Sequence, residues 1–378
     1  MIKNKRVCHL TSVHPATDIR IFHKECKSLV AAGYNVTLLA ANTQSRNIDG
    51  VTIESVILPK SRLMRMIFAT FKMYMAAMRQ NARVYHFHDP ELMLCGAMLR
   101  LSGKKVIYDI HENVRLTILD KQYLKPWLRK SLYWLYYAYE KMLLPFYNRL
   151  VLALSEETYK KYYPARKSTV VLNFPLPLKK NIVDKTFDSQ QFRLVYAGVV
   201  HEYRGIFEML NIAKYLKYKG VDFTFDIIGF VRPQSLNEKI RDFIKKENLT
   251  DNIKLHGFVD AAEIPNYLAK ADVGISLLTP FLRYKEALPT KVFEYMQHGL
   301  PVVTNSFDLL IDYVENTQTG ICVDINNIEK DISKIINLLK NRGLLLKMSE
   351  NGKRLTQEKW NWKTQEKKLI QLYNNLMR

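Results

Sequence analysis

The sequence predicts an α/β protein made of two parallel, doubly wound domains, and three observations carry that reading. Short apolar runs alternate with amphipathic helical stretches along the chain, and one proline-rich polar stretch near the middle interrupts them. The 378 residues suffice for two domains of about 150 to 200 residues, each with its own core. With 48% hydrophobic and 25% charged residues the chain is an ordinary globular one, which excludes disorder and fibrous classes.

In order, Val7–Leu10 reads as a buried strand and Ile21–Ala32 has helical periodicity. A second strand follows the turn at Gly33, which completes a β-α-β unit. Further strands are expected at Val51–Ile57, Val84–His88, Lys105–Asp109 and Leu150–Leu154, giving a first domain over residues 1–175. The stretch from Leu172 to about Gln191 has the composition of a linker. Strands at Arg193–Ala197, Phe223–Ile228, Ile253–His256, Val273–Ser276, Val302–Thr304 and Gly320–Val323 then define a second domain over 190–358.

Four scattered cysteines, Cys8, Cys26, Cys95 and Cys322, lack metal or redox spacing and are expected as reduced, buried thiols of a cytoplasmic protein. The N-terminus runs straight into strand pattern, with no secretory leader expected. Charges interrupt every long apolar stretch, so no spanning helix is expected. The net charge of +21 is uneven: residues 1–180 hold 29 Lys+Arg against 12 Asp+Glu. Such a basic half suits an anionic membrane surface or a phosphate-bearing acceptor; without RNA-binding or zinc signatures, nucleic acid is not expected.

The segment Glu286-Ala-Leu-Pro-Thr-Lys-Val-Phe-Glu294 carries the chemistry. Pro289 suits the first position of a helix, Gly299 its C′ position, and Pro301 the place where it cannot continue. Lys291 then sits near the positive helix end, suited to a phosphate, with Glu286 in the preceding loop and Glu294 one turn inside. One carboxylate can accept from sugar hydroxyls while the other takes a ribose diol.

With its Pro-x-Lys-x-x-Glu-Tyr-Met and Gly-x-Pro-Val-Val, this stretch resembles the E-x7-E region of retaining glycosyltransferases of family 4, which have the GT-B fold: two Rossmann-like, doubly wound domains facing across a cleft. The first strand-to-helix turn, ending Asp18-Ile-Arg20-Ile-Phe-His-Lys-Glu25, resembles a subgroup common in bacterial polysaccharide assembly. The resemblance implies that Glu286 contacts the donor sugar and Glu294 the nucleotide ribose. It also implies that His111 approaches the sugar from the first domain, and that Arg204, standing where the family has lysine, neutralises the donor diphosphate with Lys291. Gly198 opens that loop, but the arginine that often follows it is Val199 here. Gly229, like Gly257, falls in segments whose backbone surrounds the base in the family. The helix Trp362–Met377 resembles the one that returns to the first domain.

Loops at the carboxyl ends of the first domain's strands are placed to meet a ligand. Arg20 is a candidate for an anion, and His14, Asp18, His88 and Asp89 are candidates for the acceptor side. The alternative is a structural loop in which Asp18 caps the helix and pairs with Arg20. The two segments Leu63–Arg79 and Tyr123–Tyr147 mix apolar bulk, aromatic residues and cations, as at a membrane interface. Arg62, Arg65, Lys125, Arg129 and Lys130 are the expected contacts, with sheet-covering core helices as the rival reading.

No Asp-x-Asp occurs, so a metal-independent mechanism and no cofactor are expected beyond a UDP- or GDP-linked sugar as co-substrate. The expected activity is transfer of that sugar, with retention, to a glycan or polyprenyl-diphosphate-linked acceptor of bacterial O-antigen or capsule assembly. The expected location is the inner face of the cytoplasmic membrane, with peripheral contact. The rivals are a GT-B-like nucleotide-sugar epimerase and a non-catalytic sugar-nucleotide-binding scaffold. A nicotinamide dehydrogenase is disfavoured because G-x-G-x-x-G is missing after the first strand.

Overall fold

The computed structural model describes residues 5–59, 61–153, 155, 160–178 and 185–378. It divides into two compact units: Met1–Leu176 with Trp362–Arg378, and Pro177–Asn361.

Unit 1 is built on eight strands: β1 (Arg6–Thr11), β2 (Asn35–Ala41), β3 (Arg46–Ile48), β4 (Val51–Val56), β5 (Val84–Phe87), β6 (Lys105–Ile110), β7 (Arg149–Leu152) and β8 (Ser168–Val170). Their order is β3-β4-β2-β1-β5-β6-β7-β8, parallel except for the β3–β4 hairpin pair. Three-residue β3 and β8 carry too little pattern to be read from sequence. Ile57 falls outside β4 and is exposed, and Leu154 lies outside the described residues.

Side chains alternate across a strand, so each strand feeds two cores. Cys8, Leu10, Tyr85, Phe87, Val106 and Tyr108 pack on one face. Val7, Val36, Val84 and Ile107 face the other, under Phe22 and the helix residues Leu369, Leu372 and Tyr373. The same alternation puts His9, His86 and Asp109 at the carboxyl ends of β1, β5 and β6, all buried. The first helix opens as a π-helix, Ile19–Cys26, before one α-turn, Lys27–Ala31. Asp18 O accepts from both Phe22 N and His23 N, at 2.9 and 3.2 Å, and the widened turn lets Arg20, Lys24 and Glu25 all be buried.

Unit 2 has six parallel strands, β9 (Phe192–Ala197), β10 (Phe223–Ile228), β11 (Ile253–Gly257), β12 (Val273–Ser276), β13 (Val302–Asn305) and β14 (Gly320–Val323), in the order β11-β10-β9-β12-β13-β14. Among its parallel strands each sheet reverses its order once, between β1 and β5 and between β9 and β12. In open α/β sheets such reversals open a crevice at the carboxyl ends of the strands, where ligands bind.

Candidate active site

The loops after β9 and β12 meet at the reversal in unit 2. Gly205, with φ of 69°, ends the β9 loop and starts the helix Ile206–Tyr218; a Cβ there would lie 2.8 Å from the Leu277 backbone. The β12 loop is held by Asn305, which donates to Leu278 O and accepts from Leu278 N, both at 2.8 Å. The helix Thr290–Gln297 starts one residue later than the sequence suggested, with Pro289 at its N-cap, and Gly299 follows with φ of 68°. Tyr295 fixes that helix to the sheet: its hydroxyl accepts from Ala197 N at 2.9 Å, and its ring fills the space a Gly274 Cβ would need.

Lys291 and Glu294, three apart on one helix face, thereby line a cavity of about 240 Å³ with Tyr196, Arg204 and Ser276. Glu286 is half-buried just after the turn Leu282–Lys285 and is not among the lining residues. Lys291 Nζ lies 3.4 Å from the Tyr196 hydroxyl and 4.8 Å from its ring centre. Burial, and then Arg204, push its amine down to about 8, although Glu294 opposes this. Two cations beside one helix N-terminus suit an anion. Gly198 and Gly229, with φ of 147° and 139°, hold a backbone conformation that favours glycine, and a Cβ on Gly229 would collide with the Gly198 backbone.

Sequence reasoning missed the aromatic groups. Phe230 and Phe258, exposed on the loops after β10 and β11, stack with centroids 4.8 Å apart. The repeated Gly-Phe-Val at 229–231 and 257–259 was the available signal.

At the reversal in unit 1, Asp109 organises a polar cluster. Arg20 binds it through Nε and Nη2, both at 3.0 Å, and also meets Glu25 Oε1 at 3.1 Å and Val171 O at 3.0 Å. Arg20 is thus buried and held by internal partners, which corrects its reading as an anion ligand and its expected pairing with Asp18. Burial pushes Asp109 up, but Arg20, ahead of His111 and His88, holds it well below the usual carboxylate range.

Hydrogen-bond accounting from that anion assigns the protons. His111 Nε2 and His88 Nδ1 donate to Asp109 Oδ2 at 3.0 and 3.3 Å. His88 Nε2 is then an acceptor for His9 Nδ1 at 2.9 Å. His9 Nε2 accepts from Tyr373 at 3.1 Å, and Tyr373 accepts from His86 Nδ1 at 2.8 Å. Burial holds His9, His86 and His88 below the ordinary histidine range, as this neutral chain requires. His9, Glu25, His86 and His88 are also near enough to share a cation, but the 2.9 Å contact is a proton-sharing distance and does not aim both lone pairs at a common ion.

The other first-domain candidates divide by exposure. His88 and Asp89 are buried, which corrects their reading as acceptor contacts; Asp89 Oδ2 accepts from Thr11 Oγ1, Ser12 N and Val13 N and so shapes the loop. Asp18 caps the first helix, accepting from Arg20 N and Ile21 N. His14, part-exposed, lies 3.7 Å from Asp18 and 3.4 Å from Asp89, and the contact with Asp18 raises its proton affinity. His14 and His111, with centroids 5.2 Å apart, are the part-exposed pair of this cluster.

Lys125 and Lys130 are exposed, whereas Arg129 is half-buried and donates to Leu119 O; the side chains of Arg62 and Arg65 lie outside the described residues. Both helices of the proposed interface bury one stripe, including Ala69, Met73, Ala77 and Leu143. They leave Phe68, Phe71, Trp127, Trp134 and Leu135 exposed. No helix among the described residues is long and apolar enough to cross a membrane.

Two Rossmann-like sheets, one with a cationic cavity at its strand-order reversal, define a GT-B architecture. Residues 20–171 match the family model described as Glycosyltransferase Family 4, and residues 179–355 match that of Glycosyl transferases group 1. Each half of the chain thus matches a glycosyltransferase family model, one of the family 4 and one of the group 1 type, and the two matches together span most of its length. A relative, the amylovoran biosynthesis glycosyltransferase AmsK of Erwinia amylovora, is 28% identical over 158 residues. That stretch is 42% of this chain and 38% of the relative's length. Among solved structures, sucrose-phosphate synthase from Thermosynechococcus elongatus superposes with a TM-score of 0.78 at 16% identity over 98% of both chains. Anabaena Alr3699/HepE, solved with UDP and glucose, gives 0.73 at 12% identity over 98% of this chain and 99% of that one. At such identities the likeness is one of fold.

Proposed function

We propose that the protein transfers a sugar from a nucleoside-diphosphate donor to an acceptor hydroxyl, with retention and without metal. The observation that carries this is the unit 2 cavity, where Arg204, Lys291 and the N-terminus of Thr290–Gln297 converge on one anion-sized space. These groups stabilise the charge that grows on the leaving diphosphate, which itself takes the acceptor proton on the same face. Glu294 holds the ribose, while Glu286 and His111 position the sugar. A relative named for amylovoran biosynthesis and a neighbour, WaaG, named for lipopolysaccharide biosynthesis support a glycan acceptor in surface polysaccharide assembly. A donor linked to UDP has support from the neighbour solved with UDP and glucose.

We place this activity at the inner face of the cytoplasmic membrane. The support is the basic first half of the chain and the exposed Trp127 and Trp134 beside Lys125 and Lys130.

The deciding test is calorimetry of UDP- and GDP-sugars, without metal, against wild type and Glu294→Ala. Tight binding of one donor that the variant loses supports the reading. Equal binding by both proteins overturns the role of Glu294, and binding of no donor overturns the activity.

A further inference from the structure

A second cavity, of about 420 Å³, opens in unit 1 beside the β8 edge, and none of its lining residues belongs to the Asp109 cluster. Its deepest cation is Arg115, which is 3% exposed. The guanidinium lies among three tyrosine rings, with centroids at 4.6 Å for Tyr162, 5.4 Å for Tyr137 and 5.5 Å for Tyr163. Its Nε is 3.3 Å from Glu140 Oε2, and Tyr163 donates to Glu140 Oε1 at 3.1 Å. Arg115 Nη2 is buried and makes no hydrogen bond of good geometry among the described residues. A buried donor so poorly met is costly, and a ligand oxygen would recover that cost.

The rim adds Lys141, Arg166 and Lys167. Burial, and then the crowding of Arg100, Arg149 and Arg166, lower the Lys167 amine, so this edge of the sheet is strongly positive. Among the described residues, four cations therefore line the cavity against one carboxylate, Glu140, while Tyr137, Leu144, Pro145 and Pro164 supply apolar walls. A guanidinium in an apolar cage matches phosphate oxygens, and the walls take hydrocarbon. Inorganic phosphate would leave those walls unused, and an uncharged amphiphile would leave the cations unused.

We propose that this cavity binds a phosphate or diphosphate headgroup attached to an apolar chain. That such a ligand is the acceptor's lipid carrier rests on the glycosyltransferase reading above; the chemistry of the cavity does not.

The test uses the full chain and titrates decyl phosphate below its micelle concentration, inorganic phosphate and decyl glucoside. The proteins are wild type, Arg115→Met, and the exposed rim pair Lys141→Ser with Arg166→Ser. Decyl phosphate should bind wild type, and about tenfold or more weaker in either variant, as expected when a charged hydrogen bond is lost. Inorganic phosphate should bind more weakly, and decyl glucoside should not compete. Should Arg115→Met fail to fold, the rim pair decides alone.

Equal binding of decyl glucoside and decyl phosphate would overturn the proposal, as would unchanged decyl phosphate affinity in the rim pair. UDP-sugar titrations on the same samples separate the two readings. Decyl phosphate binding without donor binding sinks the transferase and leaves the cavity standing, and the reverse sinks the cavity alone.

Discussion

Lys291 carries a charge that should depend on whether the donor site is filled. Burial and Arg204 hold the free protein's amine near 8, against about 10.4 for an unperturbed lysine. A diphosphate placed between Arg204 and Lys291 supplies the missing counter-charge and returns the amine to the ordinary range, so binding must take up a proton. With those two values the uptake is about 0.1 proton at pH 7, about half at pH 8 and about 0.9 at pH 9. Affinity for UDP should then fall by roughly tenfold per pH unit above 8, because each unit adds about 1.36 kcal/mol to the protonation that binding requires.

The assay is calorimetry of UDP in buffers of different ionisation enthalpy, from pH 7 to 9. Lys291→Arg, which cannot deprotonate in this range, should flatten both profiles. The unliganded protein gives a second check. A lysine whose folded value is depressed leaves the unfolded chain binding more protons between about pH 8 and 10.4, so stability should rise with pH across that window, by up to about 3 kcal/mol. Lys291→Met should lose that rise. If wild type takes up no proton at pH 9, or the Arg variant shows the same profile, the placement of Lys291 on the diphosphate is wrong.

Other consequences are as direct. Gly198→Ala should weaken UDP binding about tenfold or more, because its Cβ claims the position of Lys291 Nζ; the titration that reads this should show secondary structure unchanged by circular dichroism. Asp109→Asn removes one partner of a buried ion pair and should cost about 3–5 kcal/mol in urea denaturation, with Arg20 left uncompensated. Tyr373→Phe deletes the hydroxyl shared by His9 and His86 and should cost about 1–3 kcal/mol by the same measurement. Flotation with phosphatidylglycerol vesicles should capture the protein at low ionic strength and release it as salt rises, and absence of capture at low salt would remove the membrane contact.

The parallel strands were legible because a strand buried on both faces reads as a short apolar run, as at Val7–Leu10 and Val302–Thr304. Lys291 and Glu294 were legible for a different reason, since proline and glycine punctuate their helix on both sides. Arg20 was misread because a charge near a loop looks like a ligand contact, and its partners Asp109 and Val171 are distant in sequence. The π-turn that makes room for Arg20 and Glu25 has no residue signature of its own. His88 looked like a strand-end ligand for the same reason: its role is set by Asp109 and His9, and those contacts exist only after folding. Phe230 and Phe258 gain meaning only once β10 and β11 lie side by side.

The helix Trp362–Met377 also sets an order in time. Tyr373 meets His9 across a separation of 364 residues, and Trp362 Nε1 donates to Ser28 across 334. Unit 2 is one continuous segment, and everything its core needs has been synthesised once Asn361 leaves the ribosome. Unit 1 begins first but at that moment still has a bare face over Val7, Val36 and Phe22, with its histidines open to water. The unit whose first strand is made first is therefore covered last, and a released chain truncated before residue 362 carries unit 2 whole and unit 1 with an uncovered sheet face.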